Sequence, residues 1–203
     1  LFPGHGDTDT DSHLALPRLP HSLERLRSVE LVPFQKACKA GVASVMTAHV
    51  MFPALDEQEP ATLSKTILEQ LLRQELGYDG VCVSDDLEMA AVAERYDVEV
   101  LVEKGLNAGC DLFLICHDND KAARAIEAAH KLVESGKVPV ERVEQALRRV
   151  QAMKTRYVGA PAAPSLAEAR TIVRSAPHLA LAERLASITV AGAERASSIV
   201  DIG

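Results

Sequence analysis

Apolar and polar positions alternate along this chain in two rhythms, short unbroken apolar runs and longer stretches with apolar residues every three or four positions. Ala43–His49 is apolar and then turns polar, which predicts a buried strand ending at His49. From Ser64 to Leu76 the period is helical, with Ser64 able to cap and Ile67, Leu68, Leu71 and Leu72 on one face. Gly77–Gly80 is a turn, and Val81–Val83 is a second strand that runs out into Ser84-Asp85-Asp86. A helical stretch ending near Asn107–Gly109 leads to a third strand, Leu112–Ile115, and then to the polar His117–Asp120. A helix near 121–134 closes at Gly136. Pro139 opens another, whose stripe Val140, Val143, Leu147, Val150 and Met153 is expected to pack on its own domain. Gly159–Ser165 reads as a linker, followed by a helix near 177–186 and a strand-like Ser187–Val190. Residues 191–203 give no clear signal.

Strands that are continuously apolar, rather than alternating, are those buried on both faces of a parallel sheet under helices. Each is followed at its C-terminal end by polar residues, the place where a (β/α)8 barrel or an open α/β sheet builds its site. The candidate positions are therefore Leu1–His13, His49, Asp85–Asp86 and His117–Asp120.

Composition narrows the function. The chain has 203 residues, is 47% hydrophobic and 25% charged, and so has ample material for a packed core. Aromatics make up 3% and Trp is absent, so the core should be mainly aliphatic. A net charge of −7 and the lack of any basic run argue against nucleic-acid binding. No apolar stretch is long enough to span a bilayer and no leader is visible, which points to a cytoplasmic protein. The chain opens without Met on a glycine-rich motif and reads as a fragment, so a secreted or lipoprotein form stays open. Cys38, Cys82, Cys110 and Cys116 fit neither a zinc pattern nor a disulfide scaffold and are expected to be buried free thiols.

The most unusual segment is Phe2-Pro3-Gly4-His5-Gly6-Asp7-Thr8-Asp9-Thr10-Asp11-Ser12-His13. Gly4 and Gly6 suit a special backbone conformation around His5. Asp11 and His13 stand two apart, and a carboxylate beside an imidazole orients the ring and raises its pKa, giving a proton donor near neutrality. The residues alone leave three readings open: a catalytic pair, a metal site using Asp7, Asp9 and Asp11, or a plain polar loop. The EF-hand pattern fails for want of Gly-x5-Glu. After the second strand, Asp85 and Asp86 point different ways, so one can face a pocket while the other caps the next helix. A strand-end carboxylate nucleophile with a separate proton donor on a loop is the equipment of retaining glycoside hydrolysis.

Phe2-Pro3-Gly4-His5-Gly6-Asp7-Thr8 with Asp11-Ser12-His13, then Met46–Val50, then Gly80–Met89, taken in that order, closely resemble the bacterial β-N-acetylglucosaminidase (β-N-acetylhexosaminidase) branch of glycoside hydrolase family 3. Weaker agreement runs through Ala108–Asp111 and the helix after Pro139, to about residue 155. The resemblance implies the C-terminal half of a (β/α)8 TIM-type barrel over 1–157, a linker over 158–165, and the start of a second α/β domain or a tail over 166–203. It implies Asp85 as nucleophile, His13 as general acid/base, Asp11 orienting His13, and His5 and His49 binding sugar, with no metal and no cofactor. The implied substrates are N-acetylglucosaminides of cell-wall muropeptides or chitin-type oligosaccharides. Another family 3 β-glycosidase, a glycoside phosphorylase or an inactive half-barrel are the alternatives. One departure is clear: family members carry Lys-His before Phe-Pro-Gly-His-Gly, and here Leu1 stands in place of that His. The missing N-terminal half of the barrel is the expected partner, and the isolated segment is expected to be inactive.

Overall fold

The computed structural model describes residues 1–158, 165–173 and 175–192. The chain divides into two compact units, Leu1–Gly159 and Ala160–Gly203.

The first unit is α/β, built on an open three-stranded parallel sheet of β1 (Ser44–Met46), β2 (Val81–Asp86) and β3 (Leu112–Leu114). Strand order follows chain order. β1 pairs with β2 through Ser44↔Val81 and Met46↔Val83, and β2 pairs with β3 through Val83↔Leu112 and Asp86↔Leu114, with an irregularity between. The helix Thr66–Glu75, wound with the wide π-type turn, carries the chain from β1 to β2. Ser64 Oγ accepts from Ile67 N at 3.2 Å, and Ile67, Leu68, Leu71 and Leu72 are buried, so the one-sided apolar period is what seats this helix. The helix Val98–Ala108 crosses from β2 to β3 and ends at Gly109, whose φ of 115° is a left-handed conformation. A Cβ there would approach Glu69 Oε1 to 2.9 Å, so the position needs glycine on two counts. The helices Asn119–Glu134 and Val140–Tyr157 follow.

The core is mainly aliphatic, as expected, with Phe2 and Phe52 also fully buried and Phe2 meeting Phe34 edge-to-face at 5.2 Å. Two expectations change on contact with the structure. Burial on both faces holds for the start of β2 but not for β3, whose three residues are each half-buried because β3 is an edge strand. The helix Val140–Tyr157 packs only in part, since Ala146 is its buried residue while Val140 and Leu147 are about half exposed. An apolar groove of about 450 Å³, lined by Phe113, Ile115, Ile126, Val143, Leu147 and Val150, lies open beside β3.

In the second unit the described residues form the helices Leu166–Ile172 and Ala176–Gly192. A capping box starts the first, with Ser165 Oγ accepting from Glu168 N and Glu168 accepting from Ser165 N. The strand-like Ser187–Val190 is helical instead. A four-residue β-favouring run gains nothing as a strand without a partner, and a helix already nucleated upstream propagates through it. The linker expected over 158–165 lies, apart from its end residues, outside the described residues, as does the tail beyond Gly192.

At the N-terminal end of β3 the Asp111 side chain is fully buried among three guanidinium groups. Its Oδ2 accepts from Arg73 at 2.6 Å and from Cys82 N at 3.0 Å, and its Oδ1 accepts from Arg142 at 2.8 Å and Arg149 at 3.2 Å. One carboxylate thus ties two strands to two helices. Removing it strands three buried or half-buried cations, a loss expected to destabilise by about 3–5 kcal/mol. Asp111→Ala and Asp111→Asn should therefore both lower the unfolding free energy obtained from urea titrations by that amount. A change under about 1 kcal/mol, the worth of a surface pair, would show that the cluster does not hold the unit together.

Candidate active site

The polar ends of the strands converge on one side of the sheet. Phe2 runs parallel beside Thr47, its N–H donating to Met46 O at 2.7 Å and its carbonyl accepting from Ala48 N at 2.8 Å. The loop that follows, residues 4–13, therefore emerges at the C-terminal end of β1. Gly4 holds it there at φ 150°, where an added Cβ would press on Glu30 Cβ at 3.2 Å. Gly6 takes no such conformation, so only one of the two glycines is required by backbone shape. Ala91 N donates to Ser12 O at 3.3 Å, which links the loop to the segment after Asp85 and Asp86. Loop and strand-end carboxylates thus lie on the same side of the sheet.

Inside the loop His5 is half-buried, with Nε2 3.0 Å from Ser12 Oγ and Nδ1 2.8 Å from Thr8 Oγ1. Both hydroxyls hold the ring across the loop. Asp11 and His13 are exposed, and Asp11 Oδ1 accepts from the His13 backbone N–H at 2.9 Å. That bond shapes an Asx turn, so the contact between the two residues is carboxylate to main chain, not carboxylate to imidazole.

Asp85 is half-buried near the end of β2, its Oδ1 accepting from Asp86 N at 2.9 Å. Asp86 Oδ1 accepts from Glu88 N at 3.1 Å, and its carbonyl accepts from Met89 N. The next helix, Ala90–Ala93, starts at Met89, so neither aspartate caps it and Asp86 shapes the turn before it. Asp118 does cap the helix Asn119–Glu134, accepting from Asp120 N and Lys121 N.

His49 is fully buried behind these groups. Its Nε2 lies 3.0 Å from the Asp86 carbonyl, which can only accept, so Nε2 carries the proton. Its Nδ1 faces Thr62 Oγ1 at 2.8 Å, and Thr62 Oγ1 also lies 2.8 Å from Thr47 Oγ1. Both nitrogens are thus taken by the protein. Burial pushes the pKa of His49 down, more than the neighbouring Asp86 and Asp85 raise it, and the ring stays neutral. Thr62 was not legible as a site residue, because its only sequence signal is a threonine after Pro60.

The loop also makes contacts that the sequence did not reveal. Asp7 Oδ2 accepts from His21 Nε2 at 2.7 Å, and Arg25 pairs with Glu30 at 3.1 Å. Glu30 Oε2 is buried without a hydrogen-bond partner. Among the described residues, metal-compatible groupings are Asp7, His21 and Glu30, and Asp86, Glu88 and His117. Asp7 therefore groups with His21 and Glu30, not with Asp9 and Asp11. The thiols are free, but Cys116 is exposed and Cys38 half-buried, so only Cys82 and Cys110 match the buried expectation. A cavity of about 650 Å³ lined by Tyr78, Arg148 and Arg149 lies at the opposite, N-terminal end of the strands and holds none of the candidate residues.

Known proteins resemble this chain in sequence and in fold. Residues 1–153 match the Glycosyl hydrolase family 3 N terminal domain. Beta-hexosaminidase A of Pseudoalteromonas piscicida is 34% identical over 204 residues, covering 91% of this chain and 34% of that protein. Beta-hexosaminidase of Pseudomonas aeruginosa is 43% identical over 131 residues, covering 64% of this chain and 39% of that protein. The structure of a glycoside hydrolase family 3 beta-N-acetylglucosaminidase from Paenibacillus sp. superposes with a TM-score of 0.78 at 47% identity, covering 81% of this chain and 32% of that one. The fold is that of a glycoside hydrolase domain. The chain belongs to glycosyl hydrolase family 3. It spans between a third and two-fifths of the length of these two hexosaminidases.

The depressed pKa of His49 has a consequence for stability. The unfolded ring binds a proton below its ordinary value of 6.5, whereas the folded ring resists it to lower pH. This contribution is therefore fully present above pH 6.5 and is lost as pH falls through the lower folded pKa. In urea titrations His49→Asn should be less stable at neutral pH yet show a flatter decline below pH 6.5. An unchanged slope would show that other groups set the acid sensitivity.

Proposed function

We propose that this chain carries the catalytic residues of a retaining exo-β-N-acetylhexosaminidase that releases N-acetylglucosamine from cell-wall muropeptides or chitin-type oligosaccharides. The observation that carries the reading is the half-buried Asp85 at the end of β2, with the Asp11–His13 turn on the same side of the sheet. In this mechanism Asp85 attacks the anomeric carbon while protonated His13 gives its proton to the departing oxygen. Neutral His13 then takes a proton from water, which attacks the anomeric carbon and releases Asp85. Two inversions give net retention. Asp11 serves by fixing the His13 main chain, and pairs with the ring when substrate closes the loop. His5 faces the sugar from the loop, and His49 acts from behind, its ring setting the Asp86 carbonyl and hence the strand end. Neither metal nor cofactor has a step.

The same reading makes the sheet the C-terminal half of a (β/α)8 barrel. The open edges of β1 and β3 and the groove beside β3 suit strands and helices supplied by an N-terminal half. That half would also bring the remaining sugar contacts, so turnover requires it. Among the described residues no helix is long and apolar enough to cross a membrane. The four free thiols fit a reducing, cytoplasmic setting.

The test is turnover of N-acetylglucosaminides by the chain joined to, or mixed with, the N-terminal half of a family 3 barrel. Asp85→Ala should abolish activity and Asp86→Ala should impair it less; the reverse order would move the nucleophile by one residue. His13→Ala should slow substrates with poor leaving groups by about 10²–10⁴-fold, the worth of general acid catalysis. Activated aryl glycosides should lose far less at glycosylation. Equal losses on both would assign His13 a structural role.

A further inference from the structure

From Gly4 to Leu16 the loop has one buried residue, Ser12, which is 4% exposed between the exposed Asp11 and His13. A hydroxyl at that depth needs a partner, and the partner's chemistry fixes which way the hydrogen bond runs. Thr8 Oγ1 lies 3.1 Å from the His5 carbonyl, which can only accept, so the single Thr8 hydroxyl proton is used there. Thr8 Oγ1 must then accept from His5 Nδ1, 2.8 Å away. In the neutral ring the other nitrogen is bare, and Ser12 Oγ donates to His5 Nε2 at 3.0 Å. Thr8 thus sets the tautomer that receives Ser12.

The main chain of Ser12 makes a second attachment. Its carbonyl accepts from Ala91 N at 3.3 Å, and Ala91 is fully buried in the first turn of the helix Ala90–Ala93. An N–H at that position has no partner inside its own helix, so the loop supplies one. The helix follows directly from the strand end, because Met89 N donates at 3.1 Å to the Asp86 carbonyl that also receives His49. Among the described residues no other hydrogen bond ties residues 8–15 to an element outside the loop. Around this joint Asp11 O accepts from Leu14 N at 3.0 Å and Asp11 Oδ1 accepts from His13 N at 2.9 Å, so the turn carrying His13 is built on Ser12.

We propose that Ser12 is a positioning residue: its hydroxyl on His5 Nε2 and its carbonyl on Ala91 N latch the turn bearing His13 to the strand end that bears Asp85. The latch acts through geometry alone, and no proton passes from Ser12 to substrate. Its catalytic consequence rests on the reading of His13 as proton donor, whereas the latch itself is measured without turnover. Deleting the hydroxyl should therefore free the turn and leave the sheet intact.

The test compares Ser12→Ala with Thr10→Ala, which deletes a hydroxyl of the same loop bonded to its neighbour Asp9. In the full chain at about pH 8, above the ordinary histidine pKa, nitrogen spectra of the His5 ring should show a proton on Nδ1 and a bare Nε2. Ser12→Ala should shift Nε2 more than Nδ1. Hydrogen exchange at Ala91 and across residues 8–15 should quicken by about three- to tenfold, the worth of one hydrogen bond, with the β2 amides unchanged. In the chain joined to the N-terminal half of a family 3 barrel, Ser12→Ala should slow substrates with poor leaving groups by about 10–10²-fold, as a misplaced group does, and activated aryl glycosides far less. Thr10→Ala should change none of these. Unchanged exchange at Ala91 with an unchanged Nε2 would overturn the latch, as would β2 amides that quicken together with the loop. Equal loss on both substrate classes, where His13→Ala separates them, would overturn its action through His13. If His13→Ala does not separate them, the reading of His13 as the acid falls, and exchange and spectra alone decide the latch.

Discussion

A buried carboxylate, Asp111, is the constraint from which the rest of the first unit follows. A charge at that depth is tolerated only if it is paired and its lone pairs are filled, and here three arginines and a β2 amide fill them. Arg73 comes from the helix before β2, and Arg142 and Arg149 from the helix after Pro139. Arg73 also donates to the carbonyls of Tyr78 and Gly80, so the turn into β2 is fixed by the same cluster. The sheet is therefore clamped at its N-terminal end, by charge. Its C-terminal end is left for chemistry.

At that other end the organising groups are neutral. His49 and Thr62 sit fully buried past the end of β1 and link Thr47 to the Asp86 carbonyl at the end of β2 by hydrogen bonds. A neutral imidazole suits this place, because a charged one would have to be desolvated with no buried counter-ion in contact. The strand end that bears Asp85 and Asp86 is thus supported by uncharged groups, and the loop carrying His13 is tied to the segment after it through Ala91 N and Ser12 O.

Much of this was legible in the sequence, and the reason differs by element. The continuous apolar run before Asp85 and the one-sided period from Ile67 to Leu72 carry their structure in local pattern alone. The motif around His5, Asp11 and His13 marks a site because those residue types crowd a short glycine-bearing stretch. What could not be read was set by partners far along the chain. The Asp111 cluster joins residues 31 to 38 positions apart, and Thr62 matters only because His49 folds onto it. Half-exposure of β3 follows from where the sheet stops, which no local period encodes. Ser187–Val190 misled because side-chain preference is weak beside the cooperativity of a helix already under way.

The order of the sheet has a further consequence. Because β1, β2 and β3 lie in the sequence in which they are made, each strand leaving the ribosome meets a neighbour that has already emerged. Synthesis and assembly can run in the same direction, with no strand waiting for one still inside the exit tunnel. The arginine at position 73 is the exception. It emerges well before its acid at 111, and the two remaining guanidinium groups arrive only with residues 142 and 149. The sheet can therefore align as it is translated, but its polar lock closes only when the helix Val140–Tyr157 has come out.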